Sequence, residues 1–216
     1  MIYIQSELIN EPEGLAFKNH KFQIFYKKQA IRKYIDFTNA KCVVAEHDVI
    51  KPKKILSCYP KVLNDFYHRS ILEKFSFDIS LPIFIKPQKH KEFESQIVME
   101  ESQLLKYKNK KVYVSNVVEF LSEYRIYICQ SIVLGKCLYS GDINYDIDMN
   151  IVQICIDKMK EEGYLTYALD VGVLKDNLLT AVIEVNPPYS IGLYDGMLEE
   201  NYITFLLNGW EEYFNI

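Results

Sequence analysis

Residues 181–196 read "AVIEVNPPYSIGLYDG", and the side chains able to do chemistry gather at the end of its strand-like first half. Glu184 and Asn186 stand two residues apart, hence on one face, and the strand then meets Pro187 and Pro188, which cannot continue a ladder. Upstream, "YALDVGV" reads as a second strand, joined to the first through "LKDN". A loop centred near Asn177 sets Asp170 opposite Glu184, where Cβ atoms of cross-strand neighbours lie about 4.5–5.5 Å apart. Carboxylates so placed repel. A divalent cation between them turns that repulsion into binding, and the Asn186 amide can add an oxygen ligand without adding charge. Asp170, Glu184 and Asn186 are therefore candidate ligands of magnesium, or of manganese, since every donor is a hard oxygen. A one-residue slip in register would turn the two acids to opposite faces. The plainer alternative makes them part-exposed strand residues or ion-pair partners of Arg125.

The candidate cations lie elsewhere in the chain. Lys86 ends the apolar strand "LPIFIKP", Lys91 sits in "QKHKEFES", and Arg125 is flanked by apolar residues in "EYRIYI", where a guanidinium needs an anion. Taken singly, Lys86 is explained as an edge lysine with a snorkelling stem, and Lys91 as a solvated loop residue. Acids that hold a divalent ion and bases that meet charge directly are together what a triphosphate requires.

Charge along the chain fits that division. The net charge is −4, yet residues 140–216 carry three lysines against 14 Asp and Glu, while residues 85–111 are lysine-rich. Free nucleic acid is a poor partner for such an acidic half. No run reaches the roughly 18 apolar residues of a membrane helix. The opening "MIYIQSELINEPEG" lacks the basic start and apolar centre of a signal peptide, so a cytoplasmic location is expected. Five widely spaced cysteines in apolar surroundings read as reduced, buried thiols, and neither they nor the four histidines fall at metal-ligand spacing.

The elements needed to position these residues can be sketched. "MIYIQS", "KFQIFYK" and "KCVVAEHDVI" read as strands, and after Pro60 the spacing of Val62, Leu63, Phe66, Tyr67 and Ile71 predicts a helix. Further strands are "LPIFIKP", "QIVMEE", "KVYVSNVVEFL", "SEYRIYIC" and "IVLGKCLYSGD", with a turn at Gln130 and Ser131. A helix capped by Asn150 should carry a stripe at 151, 152, 155, 156 and 159 and end near Gly163, and a last helix spans 197–214.

In that order, "FIKP", "KEFES", "VVEFLSEYRIYI" and "YALDVGVLKDNLLTAVIEVNPPYSIGLYDG" resemble the ATP-grasp superfamily, closest to its small clade marked by one arginine and two lysines. The likeness covers about residues 80–196. The earlier segments "MIYIQSE", "CVVAEHDVI" and "YPKVLNDFYHRSI" resemble the smaller domain that precedes the core in that clade. The resemblance implies an α+β ATP-grasp fold over residues 76–216, two lobes holding nucleotide between them, preceded by a small α/β pre-ATP-grasp unit over residues 1–75.

It also implies roles. Lys86 and Lys91 would meet the phosphates, with Lys86 also on the adenine side. The backbone of Val118, Glu119, Phe120 and Leu121 would bind adenine, and Glu123 the ribose. Arg125 would neutralise phosphate charge during transfer, making Arg125 and Lys91 the catalytic candidates. Asp170, Glu184 and Asn186 would hold magnesium. The implied activity is a carboxylate–amine ligase acting through an acylphosphate on small-molecule or peptide substrates. A non-catalytic ATP-binding regulatory or interaction module and a kinase-like phosphotransferase are the alternatives. One departure is a glycine-free segment 87–96 where many ATP-grasp enzymes place a glycine-rich phosphate loop. Either the lysines carry more of that work, or transfer is impaired. Pro187 and Pro188 also stand where relatives tend to have small or acidic residues. Arg69 and Tyr189 are candidate lining for a carboxylate pocket, a solvated surface charge being the plainer account of Arg69. His90, beside the phosphate segment, is read as a solvated histidine. Oligomeric state has no signature in the sequence.

Overall fold

The computed structural model describes residues 1–31, 36–37, 39–46, 49, 51–73, 80–88, 92–107 and 109–214. Three short apolar strands, β1 (Ile2–Gln5), β2 (Phe22–Phe25) and β3 (Cys42–Val44), pair in parallel in the order β2-β1-β3, with helices α1 (Pro12–Leu15) and α2 (Lys27–Ile31) between them. A parallel sheet needs cover, and here the C-terminal helix α5 (Glu199–Phe214) supplies it through Tyr202, Phe205, Leu206 and Trp210. The Trp210 indole donates to the Ala40 carbonyl at 2.8 Å.

The helix expected after Pro60 is instead a six-residue 3₁₀ turn, Lys61–Phe66. The Tyr67 hydroxyl folds back to donate to the Pro60 carbonyl, and His68 takes a left-handed φ of 50°, which no helix continues through. Ile71 consequently lies in β4 (Ile71–Leu72).

β4 joins β5 (Ile83–Pro87), β6 (Gln96–Val98) and β7 (Val112–Asn116) in an antiparallel sheet of order β4-β7-β5-β6, with α3 (Glu101–Leu104) packed beside it. Along β5, Ile83, Ile85 and Pro87 are buried while Phe84 and Lys86 are half-buried on the opposite face. Alternation therefore turns Lys86 away from the apolar cluster of Ile83, Ile85, Val98, Leu104 and Val112.

The expected strand 111–121 is interrupted at 117–119, and its halves enter different sheets. β8 (Phe120–Cys129), β9 (Ile132–Gly141), β10 (Tyr167–Leu174) and β11 (Thr180–Asn186) form an antiparallel sheet of order β11-β10-β8-β9. Gln130 and Ser131 both adopt positive φ, the geometry of a tight hairpin. Helix α4 (Met149–Glu161) buries Val152, Cys155, Ile156 and Met159 against this sheet. Its N-cap is Asp148, not Asn150: the carboxylate accepts from the Asn150 amide at 2.8 Å, and an acid also suits the positive helix end. All five cysteines are free; Cys58 is half-buried and the others buried. Among the described residues no helix is long and apolar enough to cross a membrane.

Candidate functional site

β10 and β11 pair with Asp170 opposite Glu184, the expected juxtaposition, but by an unexpected route. Near the turn the register runs Val173 with Thr180, Gly172 with Ala181 and Val171 with Val182. Continued regularly, it would set Asp170 opposite Ile183 and point Glu184 to the other face. A β-bulge between Asp170 and Val171 leaves Ile183 without a ladder partner and brings Glu184 round to Asp170. On the other side of β10, Asp170 lies opposite Arg125 of β8. One row across the sheet thus holds arginine, aspartate and glutamate.

Both Asp170 oxygens are engaged by Arg125, with Nε donating to Oδ1 at 2.8 Å and Nη2 to Oδ2 at 2.7 Å. Asp170 is 1% exposed and Arg125 8%. Burial alone would lower the guanidinium pKa; hydrogen bonding to Asp170 and its negative charge outweigh that and raise it. The guanidinium carbon also stands 4.6 Å from the ring centre of Tyr194 and 5.4 Å from that of Tyr139. The sequence reading missed these two aromatic faces, because Tyr139 comes from β9 and Tyr194 from the loop after β11. That Asp170 pairs with Arg125 is the plainer alternative raised above. Arg125 takes two of the carboxylate's roughly four lone-pair sites and the Asn186 amide a third, which leaves one open to a metal ion.

Lys86 reaches from the other four-stranded sheet to form an ion pair with Glu184 Oε2. Its ammonium pKa is lowered, first by burial, and the charges of Arg69 and Arg125 push the same way. The Asn186 amide donates to Glu184 Oε1 at 2.9 Å and to Asp170 Oδ2 at 3.2 Å, tying the acids together. Pro187 and Pro188 then turn the chain onto α5, where Pro188 packs so close to Gly209 that a Cβ there would lie 2.5 Å from it.

Lys86, Arg125, Asp170, Glu184 and Asn186 therefore converge. The nominees at 118–123 lie at the crossing into β8. There the Glu119 and Leu121 carbonyls accept from the Lys175 and Asp142 amides at 2.9 Å each, and the Phe120 ring lies over Gly172. The Glu119 carboxylate is exposed and paired with Lys175, and that of Glu123 accepts from the Tyr139 hydroxyl at 2.8 Å. Val118 is half-buried. Lys91 and His90 lie outside the described residues. Arg69 donates to the Ile183 carbonyl at 2.9 Å, and the Tyr189 ring packs on Tyr213 and Phe214.

The donor set suits a hard divalent cation. Asp170 and Glu184 offer carboxylate oxygens, and Asn186 offers Oδ1 once its amide rotates half a turn. Lys86 and Arg125 balance the two acids in this structure, and both are cations of the kind that bind phosphate.

A family profile described as an ATP-grasp domain, the second family of the clade named for one arginine and two lysines, matches residues 66–205. The chain belongs to this family. ATP-grasp folds of known structure align with it over nearly its whole length. D-alanine–D-alanine ligase from Bacillus anthracis, complexed with ATP, aligns over 96% of this chain and 94% of its own, at 13% identity and a TM-score of 0.60. N5-carboxyaminoimidazole ribonucleotide synthetase from Thermotoga maritima aligns over 96% and 75%, at 12% identity and a TM-score of 0.55. At such identities the likeness establishes the ATP-grasp fold alone. The ATP-grasp ligase PsnB, complexed with a precursor variant, Mg and ADP, aligns over 54% of this chain at 14% identity and a TM-score of 0.41, so the chain spans 38% of PsnB. No curated protein matches the sequence.

Proposed function

We propose that this ATP-grasp chain is an ATP- and magnesium-dependent carboxylate–amine ligase. The observation that carries the reading is the meeting of Lys86 and Arg125 with Asp170, Glu184 and Asn186 in one hydrogen-bonded cluster between two sheets. Four strands contribute to that cluster. In the proposed reaction a substrate carboxylate oxygen attacks the γ-phosphorus, the bond to the β-bridging oxygen breaks, and ADP leaves with the electron pair. An amine nitrogen then attacks the acyl carbon, phosphate departs with the C–O electron pair, and the nitrogen loses a proton.

The chain's part is positioning and charge. Lys86 and Lys91 would meet phosphate oxygens, and Arg125 the charge that grows during transfer. Backbone groups of Val118, Glu119, Phe120 and Leu121 would receive adenine, with Glu123 at the ribose. Asp170, Glu184 and Asn186 would hold magnesium, or manganese in its place, which supplies electrostatic stabilisation of the transferring phosphoryl group. The same reading divides the chain into a small unit over residues 1–75 and the ATP-grasp domain over residues 76–216, and places it in the cytoplasm with small-molecule or peptide substrates.

The complete internal pairing of the acids favours one second reading, a nucleotide-responsive module without turnover. ADP release on adding carboxylate and amine to protein with Mg-ATP separates the two. Mass spectrometry of the product then separates an amide from the phosphoester of a kinase-like enzyme. Glu184→Gln should lower ADP release about a hundredfold or more with the fold retained. Unchanged release in that variant would contradict the site.

A further inference from the structure

β11 is an edge strand, and the segment before β4 covers its open side. The Cys58 carbonyl accepts from the Val185 amide at 2.9 Å, and Arg69 Nη2 donates to the Ile183 carbonyl that the bulge leaves out of the ladder. That bond occupies one of the five guanidinium donors, and the Tyr59 hydroxyl is a further hydrogen-bonding neighbour of the group. Arg69 Nε is buried and has no partner, and no carboxylate among the described residues pairs with Arg69. A buried donor without an acceptor costs about 1–3 kcal/mol, so an acceptor arriving there gains an unusually well-prepared site.

Arg69 also belongs electrically to the cluster. Its charge helps lower the Lys86 pKa, after burial. Tyr59 links the two: its ring centre lies 5.8 Å from Lys86 Nζ, and burial raises its hydroxyl pKa to about 12 while neighbouring Arg69 draws it down. Arg69 is thus a third cation near the Lys86–Glu184 pair, bonded to the residue before Glu184.

Position selects the anion. The proposed adenine-binding backbone lies at the start of β8, the candidate metal ligands on β10 and β11, and Arg69 past the edge of β11. In-line transfer requires the attacking group on the far side of the γ-phosphorus from ADP. We propose that Arg69 binds the carboxylate of the acceptor substrate and presents it for phosphorylation. The proposal rests on the nucleotide site described above.

The test measures ADP release and hydroxylamine-trapped hydroxamate with Mg-ATP and acetate, L-alanine, L-glutamate or triglycine, together with calorimetric Mg-ATP binding. Arg69→Gln should raise the carboxylate KM about ten- to a hundredfold, the loss of a charge-assisted hydrogen bond, and leave the Mg-ATP KM within about twofold. Arg69→Lys, which keeps charge without the fork, should recover part of the loss. A rise in Mg-ATP KM alone, or in both equally, would make Arg69 a polyphosphate or general residue and overturn the proposal. Two unchanged KM values would reduce it to a clasp on the edge strand. Wild-type protein that binds Mg-ATP but phosphorylates none of these carboxylates overturns it too. Absence of Mg-ATP binding by the wild type instead strikes the nucleotide reading, and this proposal falls with it.

Discussion

Lys86 and Glu184 are 98 residues apart in sequence and form an ion pair between the two four-stranded sheets. Neither side chain is free in this state. On the proposed site, a metal ion arriving alone would have to compete with the lysine for Glu184, whereas a polyphosphate would offer the lysine another anion and release the carboxylate.

Metal and nucleotide should therefore bind together. Manganese affinity without nucleotide is expected to be weak and to rise when a non-hydrolysable ATP analogue is present, after allowance for the manganese–nucleotide complex. Lys86→Met, which frees Glu184, should tighten binding of manganese alone about two- to fivefold, the worth of one part-exposed ion pair, while weakening the analogue. Electron paramagnetic resonance of free manganese reads the first effect and calorimetry the second. Wild-type affinity for both ligands in this variant would count against the coupling.

The Arg125–Asp170 pair should behave as a buried unit. Removing one partner strands a charge, so Asp170→Ala or Arg125→Met is expected to cost about 3–5 kcal/mol in urea unfolding. The double variant should cost less than the sum of the two. Strict additivity would deny the interaction. Arg125→Lys should not restore the wild type, because an ammonium has neither the bidentate fork nor the flat face that Tyr139 and Tyr194 stack against.

Stability should fall at high pH. Burial raises the thiols of Cys42 and Cys155 from 9.0, and the Tyr59 hydroxyl from 10.0, to about 12. Between those values the unfolded chain has lost protons that the folded chain keeps. The stabilisation is thus complete below about pH 9 and lost as pH rises towards 12, by about 1.4 kcal/mol per group per pH unit. Lys86 acts oppositely: its lowered pKa makes the unfolded state the better proton binder up to 10.5, but it is one group against several. Melting temperature against pH, with tyrosinate absorbance, checks the sign. A melting temperature flat from pH 8 to 11 would contradict it.

Local rules were legible where local forces decide. Alternation in "IFIKP" turned Lys86 away from the apolar cluster, period-two spacing put Glu184 and Asn186 on one face, and the stripe on α4 marked its buried side. Local rules failed where a neighbour intervened. The apolar spacing after Pro60 suggested a long helix, yet Tyr67 and His68 ended it, and an unbroken run of strand formers hid the crossing at 117–119. Asp148 and Asn150 are both good caps two residues apart, and the helix starts from the acid.

The sequence by itself determined the inventory: which side chains can hold a hard cation, which can meet phosphate, and, through ordered motifs, the ATP-grasp family. These follow from residue type and short-range period, which need no knowledge of distant chain. Only the tertiary structure decided the pairing. The bulge that brings Glu184 to Asp170, the reach of Lys86 to Glu184 and the closure of Arg69 on the edge of β11 all depend on how separate strands register. Register is a property of two segments at once, so neither segment carries it alone.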